Sequence, residues 1–228
     1  MSIEENLKEV RERIRKACER CGRDPSEITL VGASKTKPPE IINEAIAAGL
    51  EVTGENRVQE LTEKYDKIDK SAKIHLIGHL QTNKVKYIAD KVDLIHSVDS
   101  TRLAEEISKQ AGKLGKDIEV LIQVNVSGEE SKSGISPQEL DGLMEYIENL
   151  PNIKVRGLMT IPPLDSGSME NSRKIFKDLY KIYIDKKQKK YNNISMDILS
   201  MGMSGDFEIA IEEGATMVRV GRAIFGSR

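Results

Sequence analysis

The stretch ITLVGASKTKPPE (28–40) decides the fold of this chain. Its first seven residues form an apolar, β-branched run, which gives way at Lys35 to a turn with two prolines. A run of this kind, bounded by turn residues, is typical of a buried strand. The sequence therefore predicts that Lys35 lies at the carboxyl end of a strand.

Seven more runs of the same kind follow along the chain. They are LEVTG (50–54), KIHLIG (73–78), DLIHSV (93–98), IEVLIQVNV (118–126), IKVRGLMT (153–160), ILSM (198–201) and MVRV (217–220). Amphipathic helical stretches lie between them, and the longest covers 168–190. Eight strands that alternate with helices predict a (β/α)8 barrel, the TIM-barrel fold, with a doubly wound α/β sheet as the alternative.

One helix is missing from this alternation, because only eight residues follow Val220. The stretch 2–21 is expected to supply it, since Ser2 and Glu5 have the spacing of a capping box and Gly22 follows. We expect this N-terminal helix to complete the outer ring by covering the face beside strand eight.

Other helix ends are also marked in the sequence. SPQE (136–139) has the pattern of a capping box with Pro137 at the first helical position. Gly49 and Gly115 are expected to form left-handed caps at the ends of two further helices.

Composition limits the class of protein. The 228 residues suit one barrel domain that spans 1–228. Basic and acidic residues nearly balance, 35 against 37, so no bulk attraction to nucleic acid is expected. No stretch approaches the roughly 20 apolar residues that cross a membrane, and MSIEENLKEV (1–10) lacks a signal pattern. Two cysteines without a secretion signal predict a reducing, cytoplasmic setting.

Three separated motifs are expected to converge at one end of the barrel. Ligands of such barrels bind at the carboxyl ends of the strands, with phosphate held after strands seven and eight. SMGMSGD (200–206) and VRVGRAIFG (218–226) are glycine turns that follow those two strands, and Lys35 ends the neighbouring strand one. An amine that faces two glycine turns suits a ligand with an aldehyde and a phosphate. Pyridoxal 5'-phosphate (PLP) is the leading candidate.

Four residues are candidates for holding the phosphate. Gly205 permits a close backbone approach, and DFEIAIEEG (206–214) is predicted to be a helix whose N-terminus favours an anion. Ser204 offers a hydroxyl, and Gly221 and Arg222 offer a second set of amides. The Arg222 guanidinium either reaches the phosphate or points into solvent.

Arg219 lies inside the last strand, where a charge is not buried without a partner. In one interpretation it donates to an aromatic ring nitrogen of the ligand. In the other it forms a salt bridge in the barrel mouth, for instance with Glu55. The neighbouring motifs favour the ligand.

Lys35 also has a simpler interpretation, because most lysines at strand ends only solvate a turn. The residues before it, GAS (32–34), are small, which suits an amine packed against a ring. A desolvated amine loses part of its preference for the charged form, and this favours Schiff-base chemistry. Lys37, in the turn, is the weaker candidate.

The motifs also give the chain a family resemblance. It resembles the PLP homeostasis proteins, which share a barrel with the N-terminal domain of alanine racemases. The resemblance covers nearly the whole chain, through LVGASKTKP, TGENRVQEL, HLIGHLQTNK, VNVSGEESKSG, RGLMTIPP, LSMGMSGDFEIAIEEG and VRVGRAIFG in this order. It implies a protein that holds PLP as a Schiff base on Lys35.

The same resemblance implies further roles for individual residues. Arg219 would contact the ring nitrogen, and Asn56, His79 and Met201 would lie near the ring. Phosphate contacts would come from Ser204, Gly205, Gly221 and Arg222. Many family members carry Ser or Thr at the position of Arg222, so only its backbone amide carries over.

Two other pairs of residues are interpreted as structural. Cys18 and Cys21 have redox-motif spacing, but they end a helix, where the dipole disfavours a thiolate. His75 and His79 share a strand face but are roughly 13 Å apart at about 3.3 Å per residue, too far for one metal. We therefore expect no metal site, with His75 structural and His79 a pocket residue.

Three functions are considered. The first is a PLP carrier, a monomer or weak dimer that buffers the cofactor or delivers it to recipient apoenzymes. The second is a PLP-dependent amino-acid racemase with weak activity. The third is a Schiff-base aldolase that uses no cofactor.

The carrier is favoured, and no catalytic residue is predicted. The racemases that the chain resembles take a second base, a tyrosine, from an additional C-terminal domain. None of the six tyrosines here falls at a predicted strand end, and the sequence stops soon after strand eight. An arginine beside the ring nitrogen would also weaken the cofactor as an electron sink.

Overall fold

The computed structural model of the protein describes residues 2–129, 133–163 and 169–226. Eight parallel strands in these residues form a closed barrel in chain order. The strands are β1 (Thr29–Ala33), β2 (Val52–Glu55), β3 (Lys73–Leu76), β4 (Leu94–Val98), β5 (Ile118–Gln123), β6 (Ile153–Met159), β7 (Ile194–Ser200) and β8 (Met217–Val220). The barrel closes where β8 pairs with β1, with Met217 opposite Thr29 and Val220 opposite Gly32. The predicted (β/α)8 barrel is confirmed.

Each predicted strand is present, but β7 begins at Ile194 and not at 198. Ile194 and Met196 are buried, whereas Ser195 is partly exposed and Asp197 is exposed. This short alternation of apolar and polar residues lacks the continuous apolar run that marks the other strands. The strand is therefore longer than its apolar core.

Helices surround the barrel. They are α1 (Ile3–Cys21), α2 (Pro39–Ala47), α3 (Val58–Lys64), α4 (Thr101–Leu114), α5 (Leu140–Glu148), α6 (Met169–Lys187), α7 (Phe207–Glu212) and α8 (Arg222–Phe225). A 3₁₀ helix, Thr82–Tyr87, links β3 to β4, where the alternation predicted an α-helix. The long helix ends at Lys187 rather than at 190, and residue 168 lies outside the described residues. No helix in the described ranges combines the length and apolar character that a membrane crossing requires.

The N-terminal helix is capped at both ends as predicted. The Glu5 N–H donates to Ser2 Oγ at 3.2 Å, and the Ser2 N–H donates to the Glu5 carboxylate at 2.7 Å. Gly22 ends the helix with φ of 69°. A reciprocal capping box of this kind satisfies two amides that have no partner within the helix.

α1 lies on the outside of the barrel beside the elements that follow β7 and β8. Asn6 Nδ2 donates to the Ile224 carbonyl of α8 at 2.9 Å, and Arg13 pairs with Glu208 of α7 at 3.0 Å. These contacts confirm that the first helix of the chain covers the face beside the last strand.

The second predicted capping box does not start a helix. Residues 137–139 form a turn, and α5 begins at Leu140. The Glu139 N–H donates to the Ser136 carbonyl at 3.1 Å, while Ser136 Oγ donates to the Glu139 carboxylate at 2.5 Å. The serine hydroxyl therefore acts as a donor to the side chain, and the backbone carbonyl closes the turn.

Two apolar regions form the core. The larger one lies between the strands and the helices. The smaller one fills the barrel with side chains from six strands and from Ile77, which directly follows β3: Val31, Val52, Ile77, Leu94, Leu121, Met159 and Met217, in the order of the chain. A filled interior leaves the carboxyl-end loops as the place where a ligand can bind.

Candidate functional site

The loops after β1, β7 and β8 meet at the carboxyl end of the barrel. The Gly221 N–H donates to Ser204 Oγ at 3.1 Å, which joins the turn after β8 to the turn after β7. A Cβ atom on Gly221 would lie 3.0 Å from the Ala33 carbonyl oxygen at the end of β1. This approach needs glycine, and it confirms that the three motifs converge.

Lys35 lies in the turn that follows β1, as predicted, but it is exposed. The structure therefore does not show the desolvation expected for this amine, and its packing against a ligand ring stays a prediction. Ala33 and Ser34 are the last inward and outward residues of the run, and the chain leaves the barrel immediately after them. The position at the rim is set by the strand, whereas the exposure is set by the turn.

Arg219 is buried inside the barrel and has neutral hydrogen-bond partners. Its Nη1 donates to Ser200 Oγ at 2.6 Å, and its Nη2 donates to the Thr160 carbonyl at 2.9 Å. Burial lowers the pKa of Arg219 to about 10, opposed by the carboxylate of Asp206, so the guanidinium stays charged at neutral pH. Within the described residues these partners use two of its five N–H donors, which leaves the other three for a ligand.

The alternative partner for Arg219, Glu55, is wrong. The Glu55 carboxylate accepts from Ser34 Oγ at 2.8 Å and from Lys64 Nζ at 3.2 Å. It lies on the outward side of β2, whereas Val52 and Arg219 face the barrel interior. Burial raises the pKa of Glu55, and its hydrogen bond from Ser34 and the charge of Lys64 oppose that shift.

A buried chain of polar groups continues from Arg219 into the barrel. Ser200 Oγ lies 3.1 Å from His96 Nδ1, and His96 Nε2 lies 3.0 Å from His75 Nδ1. Because a guanidinium can only donate, Ser200 Oγ accepts from Arg219 and can direct its own proton to His96. In the tautomer that accepts this proton at Nδ1, His96 donates from Nε2 to His75 Nδ1. His75 is structural, as predicted.

Sequence reasoning missed His96, Ser200 and Thr160. Leu94 faces the barrel interior, so the period of two along β4 places His96 on the same face. That signal was present in the strand DLIHSV (93–98). The strand sequence does not show which residue His96 contacts across the barrel.

Asn56 and His79 lie together on the neighbouring part of the rim. They line a cleft of about 420 Å³ that also includes Arg57, Lys84 and Tyr87 but not Lys35. A Cβ atom on the glycine before His79, Gly78, would lie 2.1 Å from the Asn56 carbonyl oxygen, so these two loops pack backbone to backbone. Asn56 Oδ1 is buried and has no hydrogen-bond partner in the part of the chain that the structure describes.

The remaining candidates differ in exposure. Met201 is fully buried in the core between the sheet and the helices. Gly205 and Arg222 are exposed. The predicted helix 206–214 is α7, which has only six residues, Phe207–Glu212. Arg222 is the first residue of α8, with Gly221 at its N-cap.

The cysteines and the metal prediction remain to be compared with the structure. Cys18 is buried in α1 and Cys21 is partly buried; both are free thiols. Burial raises the pKa of the Cys18 thiol, which disfavours a reactive thiolate. Among the described residues, no cluster of three or more His, Cys, Asp or Glu side chains has the geometry to hold a metal ion.

Comparison with known proteins identifies the family. The family described as alanine racemase, N-terminal domain, matches residues 3–228. The pyridoxal phosphate homeostasis protein of Aquifex aeolicus (strain VF5) is 53% identical over 229 residues, which cover 100% of this chain and 99% of the relative. The chain belongs to this family. The member from Escherichia coli (strain K12) is 42% identical over 230 residues, 99% of this chain and 97% of the relative.

Solved structures agree with this assignment. PipY of Synechococcus elongatus PCC7942, solved without PLP and with PLP bound, is 34% identical and covers 99% of this chain and 100% of its own. The TM-scores are 0.88 and 0.84. An alanine racemase of Clostridium difficile 630 shares the fold alone, with a TM-score of 0.75 at 18% identity over 100% of this chain and 57% of its own.

The structure describes one of the family motifs only in part, and it describes all six tyrosines. The motif VNVSGEESKSG (124–134) includes residues 130–132, which lie outside the described residues. The six tyrosines are all described, and none lies at the carboxyl end of a strand. Tyr87, however, lines the cleft beside Asn56 and His79, with its ring 46% exposed.

Proposed function

We propose that this protein binds PLP and serves PLP homeostasis in the cytoplasm, by buffering the cofactor or delivering it to recipient apoenzymes. One observation carries the proposal. The backbone of Gly221, the hydroxyl of Ser204 and the end of β1 meet at a single point, on the rim that also bears Lys35. Family membership and the PLP-bound structure of PipY support it.

The donors on this rim fit the phosphate of PLP. Ser204 supplies a hydroxyl, and Gly205 and Arg222 supply backbone amides in the turns after β7 and β8. The Gly221 N–H donates to Ser204 Oγ in this structure, so it becomes a phosphate donor only when the ligand replaces that hydroxyl. Space around Gly205 is open, with no atom within 4 Å of an added Cβ. Backbone amides in glycine turns are a common way to hold a phosphate after the last two strands of a barrel.

The groups nearby fit the pyridine ring. Arg219 is a buried cation with N–H donors left for a ring nitrogen. The buried Asn56 Oδ1 is an acceptor that a donor on the ligand would satisfy. His79 lines the cleft beside Asn56, and Met201 directly follows Ser200, the residue that accepts from Arg219.

Lys35 is proposed to bind the cofactor covalently. Its amine would supply the nucleophile for a C=N bond to the aldehyde carbon of PLP, with the aldehyde oxygen released as water. Because Lys35 is exposed, the reverse hydrolysis is open to solvent, which suits a protein that must release its cofactor. Nothing in this step requires a second protein.

Arg219 also favours storage over turnover. Its pKa of about 10 keeps it protonated at neutral pH, so it would bind the ring nitrogen as a hydrogen-bond donor, and that nitrogen would carry no proton. An unprotonated ring is a weaker electron sink for carbanion chemistry. A PLP-dependent racemase with weak activity remains the alternative that an assay must address.

The first test is PLP capture by Lys35. Purified protein is mixed with PLP and reduced with borohydride, and the modified peptide is mapped by mass spectrometry. We expect the label on Lys35, with the visible band of the complex lost in Lys35→Ala and retained in the matched control Lys37→Ala. A label that persists in Lys35→Ala would contradict the covalent assignment.

The second test separates a carrier from an enzyme. PLP-loaded protein is incubated with amino acids in deuterated water, and α-proton exchange is followed by NMR. A parallel assay measures PLP transfer to an apoenzyme, and sedimentation gives the oligomeric state. We expect transfer without exchange at enzyme-like rates. Rapid exchange that Tyr87→Phe abolishes would favour the racemase and assign the base.

A further inference from the structure

The turn that carries Lys35 is strained. The Lys37 N–H donates to the Ser34 carbonyl at 3.0 Å, which closes a four-residue turn with Lys35 second and Thr36 third. Thr36 has φ of 65°. A positive φ at the third position is typical of a type II turn, where glycine or asparagine is usual. For a β-branched threonine it is unfavourable.

A carboxylate holds the strained residue. Glu60 Oε2, on α3, accepts the Thr36 N–H at 2.9 Å. This backbone hydrogen bond is the main cause that lowers the pKa of Glu60, so the acceptor is ionised at neutral pH. Backbone strain persists where the surroundings fix the conformation. A hydrogen bond from an amide to an ionised carboxylate is one of the stronger ways to fix it.

Glu60 is itself held in place by a shared cation. Lys64 Nζ donates to Glu60 Oε2 at 3.3 Å and to Glu55 Oε1 at 3.2 Å, and its side chain is only 12% exposed. Glu55 Oε1 also accepts from Ser34 Oγ at 2.8 Å. Ser34 and Thr36, on the two sides of Lys35, therefore each donate a hydrogen bond to a carboxylate. The Lys64 ammonium binds both of these carboxylates.

We propose that Glu60 is a positioning residue for Lys35: it holds Thr36 in its left-handed conformation, so that the turn presents Lys35 at the rim in one arrangement. Lys64 orients Glu60. This inference rests on the proposed role of Lys35 in PLP binding. Glu60 does not touch the ligand; it acts through the backbone of the turn.

The central experiment compares PLP binding by four proteins. These are the wild type, Glu60→Ala, Thr36→Gly and the variant with both changes, each measured by equilibrium titration and by the rate of Schiff-base formation. Glu60→Ala is expected to weaken PLP binding and to slow Schiff-base formation, each about tenfold. Without the hydrogen bond from Thr36 to Glu60, the turn can leave its strained conformation. Glycine adopts the same φ without strain, so Glu60→Ala should cost much less in the Thr36→Gly background.

Glu63→Ala is the matched control, because Glu63 is exposed on the same helix and pairs with Gln59. This variant should bind PLP with an affinity within about twofold of the wild type, because surface substitutions usually have small effects. Equal binding by the wild type and Glu60→Ala would overturn the inference. So would an equal loss in both backgrounds, because Glu60 would then act by a route other than the strain at Thr36.

Hydrogen exchange tests the positioning role without PLP. The Thr36 amide should exchange faster in Glu60→Ala than in the wild type or Glu63→Ala. If the wild type fails to capture PLP on Lys35 but this difference in exchange is present, the proposed function fails and the hold on the turn stands. If PLP is captured and the exchange rates are equal, the function stands and the inference fails.

Discussion

The interior of the barrel holds two imidazoles and a guanidinium connected through one hydroxyl. His75, His96 and Arg219 are each buried, and Ser200 lies between the last two. Burial lowers the pKa of His75 to about 3, with a smaller effect from the charge of Lys73. Burial, then His75 and Arg219, lower the pKa of His96 well below its usual range. Both rings are therefore neutral in the folded protein at physiological pH.

Their neutrality predicts a pH dependence of stability. The folded pKa of each ring lies below the unfolded value of about 6.5, so the unfolded chain takes up protons first. The stability contribution is complete above that value and is lost as the pH falls towards about 3. Each histidine can contribute a slope of up to about 1.4 kcal/mol per pH unit.

His75→Gln should remove about half of this slope. The chain has no tryptophan, so urea unfolding is followed by circular dichroism between pH 7 and pH 5, above the range in which ordinary carboxylates titrate. His79→Gln is the matched control, because His79 is exposed. Equal slopes for the wild type and His75→Gln would show that the buried rings do not govern the acid response.

At the scale of single elements, the helices differ in how closely they follow their sequence signals. α1 has the predicted cap at each end, because its signals act within one helix turn. α5 begins later than its signal, because the side chain of Ser136 donates to Glu139 instead of capping the backbone. α5 also contains an exposed glycine, Gly142, near its start.

Gly142→Ala should stabilise the protein by about 0.5–1 kcal/mol, because alanine loses less backbone entropy in a helix. No atom lies within 4 Å of the added Cβ and the φ of Gly142 is ordinary, so the site accepts a methyl group. Gly112→Ala in α4 is the comparison, since its Cβ would lie 3.2 Å from Asn152 Nδ2. Chemical denaturation should show a larger increase in the free energy of unfolding for Gly142→Ala than for Gly112→Ala. A decrease for Gly142→Ala would contradict the helix-propensity argument.

At the scale of the whole molecule, the first and last parts of the chain complete each other. β8 pairs with β1, and α1 packs beside α7 and α8. The buried face of α1 includes Leu7, Val10 and Ile14. Each such side chain contributes about 1.5–3 kcal/mol when buried, whereas whole domains are stable by only about 5–15 kcal/mol.

Deleting residues 1–22 should therefore leave the barrel largely unfolded or melting far below the intact chain. Thermal melting by circular dichroism measures this. Lys16→Ala is the control, because Lys16 pairs with Glu12 on the exposed side of α1 at 3.6 Å and should matter by less than about 0.5 kcal/mol. A truncated chain that melts at the temperature of the intact one would refute the closing role of α1.

Much of the site could be predicted because it depends on local pattern. Apolar runs place Lys35, Gly221 and Arg219 on strands or at their ends, and parallel strands bring those ends to one rim. Glycine turns mark where backbone amides are accessible. The carrier role and the Schiff base remain proposals, because neither follows from position alone.

The sequence by itself determined the strand order, both caps of α1 and the rim on which Lys35 lies, because these arise from periodicities of two and 3.6 residues and from capping within one turn. The tertiary structure alone decided the exposure of Lys35, the bond from Thr36 to Glu60, and the chain from Arg219 through Ser200 to His96. The hydrogen bonds join residues that lie 19 to 104 positions apart in the chain. The exposure of Lys35 depends on the backbone of one turn, in which Thr36 has a positive φ. No local pattern encodes which distant side chain arrives there.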